Sequence, residues 1–223
     1  DGDTIAIDTD MLLEILQTLR EAFPSLRHVG IYAGPRSTLA KSPDELKTLR
    51  AAGLRKAYLG VETGDDDLLK KINKGASCEE MLQAGRSLVE AGINLTASVV
   101  LGLAGKGEAS RRHALATAKI CNEIKPQYLA ALTYTPVPGT MLHQEVQSGA
   151  FELLDPFETL EEMKMLIENI DADNLKFVGV HASNYLPVSG TLQKDRAKMI
   201  AIIDHALQSR DDRLLRPGHM RGL

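Results

Sequence analysis

The feature that most constrains the fold of this chain is an alternation of short apolar segments with longer amphipathic ones. Strand-like apolar segments lie at 26–33, 56–61, 94–101, 128–135 and 175–181. Helical periodicity is found at 9–22, 43–52, 65–73, 77–91, 109–124, 155–170 and 192–209. Strands that alternate with helices of this length predict an α/β protein with a parallel sheet and right-handed crossovers.

The opening of the chain does not fit a complete set of such units. The first predicted helix follows "DGDTIAIDTD", which has the composition of a loop and not of a strand. We therefore expect the sequence to begin inside a βα loop of a longer protein. A parallel sheet that starts after its second strand leaves an unpaired edge, so we also expect edge-mediated self-association. Residues 211–223 are predicted to be a loosely packed tail.

Composition excludes several classes of function. The net charge is −4, only 4% of the residues are aromatic and tryptophan is absent, so neither a basic face nor base-stacking platforms are expected for nucleic acid. No apolar run is long enough to span a membrane, and the first residues given do not show the charged, apolar and cleavage-site pattern of a signal peptide, so we expect a cytoplasmic protein. Cys78 and Cys121 lack a CxxC-type spacing and are predicted to be structural thiols, with no metal site in this chain.

The predicted carboxyl ends of the strands are chemically distinct from the opposite loops. They contain "DGD" (1–3), "YAGPRS" (32–37), "VETGDD" (61–66), "VLGLAGKGE" (100–108), "TYTPVPGT" (133–140) and "HASNYLP" (181–187). The opposite loops, such as "AAGLR" and "EAGIN", are plain helix stops. Because ligands bind at the carboxyl ends of parallel strands, this rim is predicted to be functional.

Individual residues of the rim each have a structural alternative. Glu62 ends a buried strand, and its carboxylate could instead cap the next helix or pair with a lysine. The segment "GLAGKGE" lacks the GxxxxGK[ST] order of a nucleoside triphosphate loop. His181, Ser183 and Asn184 crowd one strand end and are expected to line the same mouth as Glu62. His113, beside two arginines, is expected on an exposed helix surface.

Three segments, in this order, resemble the radical S-adenosylmethionine superfamily. They are "YLGVETGDDDLLKKINKG", "AGINLTASVVLGLAGKGEASRRHALATA" and "YLAALTYTPVPGT". The similar branch includes oxygen-independent coproporphyrinogen oxidase and the methylthiotransferases. The resemblance implies a partial TIM-type (β/α)6 barrel with outer helices over residues 1–210, truncated at its N-terminus. It also implies an iron–sulfur oxidoreductase that cleaves S-adenosylmethionine reductively to a 5′-deoxyadenosyl radical, which then acts on a substrate.

The resemblance also assigns roles to residues at the rim. It places the methionyl ammonium against Gly2 and Asp3, the ribose or amino acid part against Glu62 and Ser98, and the carboxylate against Lys74. The adenine edge is assigned to Gly102, Tyr134, Thr135, Pro136 and Val137. Substrate specificity is expected from Arg36, His181, Ser183 and Asn184, which carry no general role in the superfamily.

One departure from the superfamily pattern is decisive for activity. The three-cysteine motif CxxxCxxC that holds the 4Fe-4S cluster is absent from this sequence. We therefore expect the cluster in the full-length parent and not in this chain, which should bind no cluster and have no catalytic residue of its own. Two alternatives stay open: a non-radical barrel enzyme of aldolase or phosphate-binding type that uses Lys74 or Lys106 with Glu62, and a non-catalytic binding domain.

Overall fold

The computed structural model describes residues 2–222. Its strands are β1 (Val29–Tyr32), β2 (Leu54–Glu62), β3 (Asn94–Leu101), β4 (Tyr128–Thr133), β5 (Lys176–Gly179) and β6 (Val188–Thr191). Its α-helices are α1 (Thr9–Ala22), α2 (Pro35–Leu39), α3 (Pro43–Ala51), α4 (Asp66–Lys71), α5 (Cys78–Glu90), α6 (Glu108–Ile124), α7 (Met141–Ser148), α8 (Pro156–Asn169) and α9 (Leu192–Ser209). Short 3-10 helices lie at Thr4–Ala6, Asp212–Leu214 and Gly218–Met220.

The strands form one six-stranded sheet in the order of the chain, from β1 to β6. Neighbouring strands from β1 to β5 are parallel, which confirms the predicted α/β class. β6 was not predicted and pairs antiparallel with β5. Its four residues, "VSGT", are too few to show a period-2 pattern. The sequence pattern also does not predict α2 and α7, because both follow segments rich in glycine and proline that are typical of loops.

Local sequence signals start the longer helices. Capping boxes start α3 and α5. The side chains of Ser42 and Ser77 accept hydrogen bonds from the backbone N–H groups of Glu45 and Glu80, and the two glutamate side chains accept hydrogen bonds from the backbone N–H groups of the serines. Asp65 caps α4 by accepting hydrogen bonds from two backbone N–H groups of its first turn. These caps stabilise the start of α3, which lies between β1 and β2, and the starts of α4 and α5, which both lie between β2 and β3.

The sheet has one covered face and one open face. On β2, Ala57, Leu59 and Val61 are fully buried under the outer helices. Because side chains alternate along a strand, Lys56, Tyr58, Gly60 and Glu62 lie on the opposite side. We call that side the open face; its residues on β2 are half-buried or exposed. The chain therefore keeps its apolar core between sheet and helices and leaves the other face accessible.

The C-terminal segment packs against the β5–β6 connection. Leu215 is buried, and Arg216 Nη1 donates to the carbonyl oxygens of His181, Ala182 and Asn184 at 2.8, 2.8 and 3.0 Å. The expectation of loose packing is therefore wrong for these residues, because one guanidinium satisfies three carbonyls of a turn. The domain boundary at residue 210 stays a prediction. Across residues 2–222, no helix is both long and apolar enough to cross a bilayer.

Candidate functional site

A cleft of about 650 Å³ lies on the open face at the carboxyl ends of the parallel strands. The predicted site residues among its lining are Gly2, Asp3, Glu62, Lys74, Ser98 and His181. They come from the N-terminal segment, β2, the α4–α5 connection, β3 and the residues after β5. The structure therefore brings together residues that are as far apart in the sequence as Gly2 and His181.

An ion pair of Glu62 and Lys74 lies in this cleft. Lys74 Nζ is 2.7 Å from Glu62 Oε1, and each side chain is 23% exposed. Glu62 ends β2 with a positive φ of 62°, and the β2–β3 register shifts between Gly60 and Glu62. A positive φ is unusual for a residue with a side chain, so the end of β2 is held in a defined, sparsely populated conformation. The predicted position of Glu62 at the barrel mouth is confirmed.

Gly60 provides the space for this ion pair. A Cβ atom on Gly60 would lie 3.0 Å from Lys74 Nζ and closer still to the Glu62 carboxylate. The pair therefore lies directly over Gly60, on the open face. Any larger residue there would displace one of the two charges.

Asp3 anchors the N-terminal segment to the start of α2. Its Oδ1 accepts a hydrogen bond from Gly34 N–H at 2.6 Å, and Oδ2 accepts one from the Ser37 hydroxyl. A Cβ atom on Gly34 would lie 2.8 Å from the Asp3 carboxyl carbon, so a larger residue there would push this carboxylate out of its position. One wall of the cleft is thereby fixed by a carboxylate whose two oxygens are both engaged.

The residues assigned to the adenine edge lie elsewhere. Gly102, Tyr134, Thr135 and Pro136 line a separate cavity of about 70 Å³, and Val137 lines a third cavity together with Tyr134. Thr135 Oγ1 is buried without a hydrogen-bond partner within residues 2–222. The structure thus does not bring these residues into the main cleft, and their assigned role stays a prediction.

The residues after β5 divide into one that faces the cleft and two that do not. His181 lines the cleft, but Ser183 is 1% exposed and Asn184 is fully buried. Ser183 Oγ accepts from Thr133 N–H at 3.0 Å, while the Asn184 amide donates to the carbonyls of Ala131 and Gly179 at 2.8 and 2.9 Å. The expectation that all three line the mouth is wrong for Ser183 and Asn184. Both satisfy backbone groups at the ends of β4 and β5, because β5 ends at Gly179 and the chain turns inward.

Arg36 lies on α2, outside the main cleft. Its side chain is 71% exposed, and its Nε lies 3.8 Å from Glu80 Oε1 on α5. A pair this exposed contributes little to stability. A contact of Arg36 with substrate stays a prediction.

A buried polar network behind the strand ends was not predicted. Glu162 of α8 is 2% exposed, and its Oε1 accepts a hydrogen bond from Gly102 N–H at 2.7 Å. The Ser110 hydroxyl donates to its other oxygen. Burial raises the pKa of Glu162 to about 7. The carboxyl therefore holds the turn that follows β3 from beneath.

His113 of α6 continues this network to β2. Its Nε2 donates to the Val100 carbonyl oxygen at 3.1 Å, so its Nδ1 accepts from the Thr63 hydroxyl at 2.7 Å. Nε2 also lies 3.6 Å from Glu162 Oε1. Burial lowers the pKa of His113 to about 4, so the ring is neutral. The expectation of an exposed His113 is wrong: the spacing of His113, Thr117 and Ile120 places it on the buried face of α6.

Parallel strands with outer helices and a charged cleft at their carboxyl ends define a protein of the βα-barrel class. A family model described as "Radical SAM superfamily" matches residues 2–118. The match covers more than half of the sequence, so the chain belongs to the radical S-adenosylmethionine superfamily.

Individual relatives are similar at low identity. The chain is 21% identical over 165 residues to the "Heme chaperone HemW" of Bacillus subtilis, covering 74% of this chain and 42% of that protein. It is 23% identical over 175 residues to the "tRNA-2-methylthio-N(6)-dimethylallyladenosine synthase" of Chlorobium luteolum, covering 78% of this chain and 36% of that protein. The chain thus spans less than half the length of these relatives.

Solved structures show the same fold. The archaeal Elp3 of Methanocaldococcus infernus superposes with a TM-score of 0.64 at 14% identity, covering 94% of this chain and 53% of that one. Coproporphyrinogen III oxidase (HemN) of Escherichia coli, described as a radical SAM enzyme, superposes with a TM-score of 0.58 at 21% identity, covering 73% of this chain and 36% of that one. The partial TIM-type barrel that the sequence predicted is therefore the fold of this chain.

The superfamily implies S-adenosylmethionine and a 4Fe-4S cluster, and the residues fit these two groups differently. The cleft fits S-adenosylmethionine, because it presents a carboxylate and an ammonium side by side over a glycine. The cysteines do not fit the cluster: the sequence has two. Cys121 is fully buried in α6, and burial raises its pKa to about 12. Within residues 2–222, no group of three or more potential metal ligands is found.

Proposed function

We propose that this chain forms the S-adenosylmethionine-binding part of a radical enzyme whose cluster ligands come from polypeptide outside these 223 residues. The observation that carries the proposal is the Glu62–Lys74 ion pair in the cleft at the strand ends. Superfamily membership supports reductive cleavage of S-adenosylmethionine as the general reaction, with hydrogen abstraction from a substrate. The parent protein would be an oxidoreductase, and the chain alone would be inactive.

The charges in the cleft are complementary to the cofactor's amino acid part. S-adenosylmethionine carries an ammonium and a carboxylate on one carbon, so it can exchange the 2.7 Å Glu62–Lys74 contact for two contacts of its own. Glu62 would accept from the ammonium and Lys74 would donate to the carboxylate. Ser98, one strand away on the same face, offers a hydroxyl for a ribose oxygen.

Binding is favoured when a charged group is held in place before the ligand arrives. Glu62 is fixed by its positive φ and by the tight turn in which Thr63 N–H donates to the Val61 carbonyl at 2.8 Å. His113 then holds the Thr63 hydroxyl from below. A site held in this way loses less conformational entropy when the ligand binds.

The structure offers no support for a Schiff-base mechanism through Lys106. Its Nζ lies 3.1 Å from Glu158 Oε2, and this hydrogen bond raises the lysine's pKa. A nucleophilic lysine needs a lowered pKa, because only the neutral amine attacks a carbonyl. Lys106 also lies outside the residues that line the main cleft.

The binding proposal is tested by calorimetric titration of the purified chain with S-adenosylmethionine. Glu62→Gln and Lys74→Met should each weaken binding roughly tenfold, because each removes one charge-assisted hydrogen bond. The matched controls are Glu79→Gln and Lys47→Met, which change exposed charges on α5 and α3. Equal affinities for all five proteins would refute the assignment of the pair.

The role of outside polypeptide is tested by reconstitution with iron and sulfide under reducing conditions. The chain alone should give no 5′-deoxyadenosine, whereas a longer polypeptide that adds a CxxxCxxC segment should give it. Product from the chain alone would contradict the proposal.

We further propose that the protein is cytoplasmic and that β1 supports self-association of the isolated chain. β1 pairs with β2 on one side and lies at the edge of the described sheet. Unpaired strand edges are templates for further strands. Light scattering should show a mass that rises with protein concentration; a constant monomer mass would contradict this proposal.

A further inference from the structure

His181 lies in the β5–β6 connection, lines the main cleft and is anchored through one nitrogen of its ring. The backbone nitrogen of Ser183 lies 3.2 Å from His181 Nδ1, and the Ser183 hydroxyl oxygen lies 2.9 Å from the same atom. A backbone N–H group can only donate, so Nδ1 accepts and carries no proton. The neutral ring is therefore protonated at Nε2.

The Ser183 hydroxyl is oriented by the end of β4. Its oxygen accepts a hydrogen bond from the backbone N–H of Thr133 at 3.0 Å, and Ser183 is 1% exposed. Because this oxygen receives a proton from β4, the hydroxyl's own proton is available for His181 Nδ1. Thr133, Ser183 and His181 thus form a chain of hydrogen bonds that supports the Nε2–H tautomer.

The backbone of the connection is held from two further directions. Arg216 Nη1 donates to the carbonyl oxygen of His181 itself at 2.8 Å. The Asn184 amide donates to the carbonyls of Ala131 and Gly179, which belong to β4 and β5. The position of the His181 ring is therefore fixed before a ligand arrives, and this lowers the entropy that binding costs.

The second ring nitrogen of His181 is left for a ligand. Within residues 2–222, the hydrogen bonds of this ring all involve Nδ1, and no protein group accepts from Nε2. The residue is half-buried in the wall of the cleft. Because Nδ1 is directed at the connection, the ring edge that carries Nε2 is the edge available to the cleft. It presents one fixed hydrogen-bond donor.

The charges around the cleft determine which acceptor suits this donor. Among the described residues of the lining, the charged side chains besides His181 are Asp3, Glu62 and Lys74. They comprise two carboxylates and one ammonium, and the ammonium is already paired with Glu62. A further anion would meet a lining with an excess of negative charge. An uncharged oxygen is therefore the favoured acceptor.

We infer that His181 Nε2–H donates a hydrogen bond to an uncharged carbonyl oxygen of the substrate, such as that of an amide, and thereby orients the substrate. This assignment rests on the proposed function, which places the cofactor's amino acid part at Glu62 and Lys74. His181 follows β5, which is three strands from β2, or about 14 Å along the sheet. It therefore lies on the side of the cleft that the cofactor's amino acid part leaves open.

The size of the cleft favours a small molecule as the source of the carbonyl. Its volume of about 650 Å³ lies within the usual range of small-molecule sites. The net charge of −4 opposes binding of a polyanion, so a carbonyl on a base of a nucleic acid is disfavoured.

The first test determines the tautomer of His181 in the purified chain labelled with ¹⁵N-histidine. At about pH 9, where ordinary imidazoles are neutral, the ¹⁵N shifts of the two ring nitrogens report which one carries the proton. The sequence has six histidines, and the signals that His181→Asn removes belong to this ring. We predict the proton on Nε2; a proton on Nδ1 would overturn the inference.

The role of Ser183 in positioning the ring is measured in the same spectra. Ser183→Ala should lower the fraction of His181 that is protonated at Nε2, because it removes one of the two donors to Nδ1. The matched control is Ser148→Ala, at an exposed position of α7, which should leave this fraction unchanged. An unchanged fraction in both variants would overturn the role of Ser183.

The second test titrates the chain with benzamide, which has an uncharged carbonyl, and with benzoate, which is anionic. Benzamide should shift the His181 Nε2 signal and bind more tightly than benzoate. His181→Asn keeps an acceptor for the Ser183 N–H but has no donor at the position of Nε2, so benzamide affinity should fall roughly fivefold. His181→Gln places an amide N–H near that position and should retain most of the affinity.

The matched control for the histidine variants is His205→Asn, at an exposed position of α9, which should bind benzamide like the parent chain. Tighter binding of benzoate than of benzamide would overturn the choice of an uncharged acceptor. Equal benzamide affinities for His181→Asn and the parent chain would overturn the role of His181.

Three further outcomes separate this inference from its foundation. Binding of S-adenosylmethionine without binding of benzamide would overturn the substrate inference alone. Binding of benzamide that depends on His181, without binding of S-adenosylmethionine, would overturn the proposed function and leave a carbonyl site of another kind. A short single-stranded RNA that shifts the His181 Nε2 signal at lower concentration than benzamide would overturn the choice of a small molecule.

Discussion

Replacing Glu162 by glutamine should change the pH dependence of stability in a defined direction. The folded-state pKa of Glu162 is raised from 4.5 to about 7 by burial. The folded protein therefore binds more protons than the unfolded chain between these values, so the contribution of Glu162 is fully present below pH 4.5 and is lost as pH rises through about 7. At about 1.4 kcal/mol per pKa unit, the loss is about 3 kcal/mol.

The glutamine keeps an oxygen that can accept from Gly102 N–H but does not ionise. The free energy of unfolding of Glu162→Gln, relative to the parent protein, should therefore rise by about 3 kcal/mol from about pH 5 to about pH 8. Urea unfolding followed by far-UV circular dichroism measures both free energies at each pH. Glu161→Gln, an exposed neighbour on α8, is the control and should show no such trend.

His113 provides the opposite test. Burial lowers its pKa from 6.5 to about 4, so its contribution is present above pH 6.5 and is lost as pH falls through about 4. Relative to the parent protein, His113→Gln should gain stability toward low pH, where Glu162→Gln gains none. A relative stability independent of pH in both variants would refute the account of this network.

Two predictions concern packing around the site. Gly64→Ala should destabilise the fold by about 1–3 kcal/mol, because the new Cβ would lie 2.9 Å from Thr117 N and would overlap the carbonyl of Ala116. The control is Gly218→Ala, which has open space around it and should leave the stability measured by thermal unfolding unchanged. Arg216→Ala should lower the free energy of unfolding in urea by about 1–3 kcal/mol, since it leaves three carbonyls of the β5–β6 connection without their donor. A loss of stability no larger than that caused by Arg213→Ala, at an exposed position, would contradict this prediction.

The parallel strands and the functional rim could be predicted because their signals are local. The run from Ala57 to Val61 is apolar enough to fix a buried strand, and Glu62 follows it directly. Helix α7 was not predicted, because the prolines before Thr140 indicate a loop, although Thr140 caps the helix and Gly149 ends it in a left-handed conformation. These two residues were a usable signal.

The side-chain arrangement behind the rim could not be predicted, because it depends on contacts between distant segments. Glu162 meets Gly102 across 60 positions of sequence, and nothing local marks it as buried. Asn184 is polar and follows a strand, which is typical of a rim residue, but it satisfies backbone groups of β4 and β5 instead.

The central claim is that the cleft at the strand ends binds S-adenosylmethionine. Titration of the ¹⁵N-labelled chain, followed by amide NMR shifts, tests it most directly. We predict that the largest shifts cluster at residues 60–64, 74 and 98, and that Lys74→Met weakens them. Saturating cofactor that shifts no amide of these segments, or shifts only amides remote from the cleft, would contradict the claim.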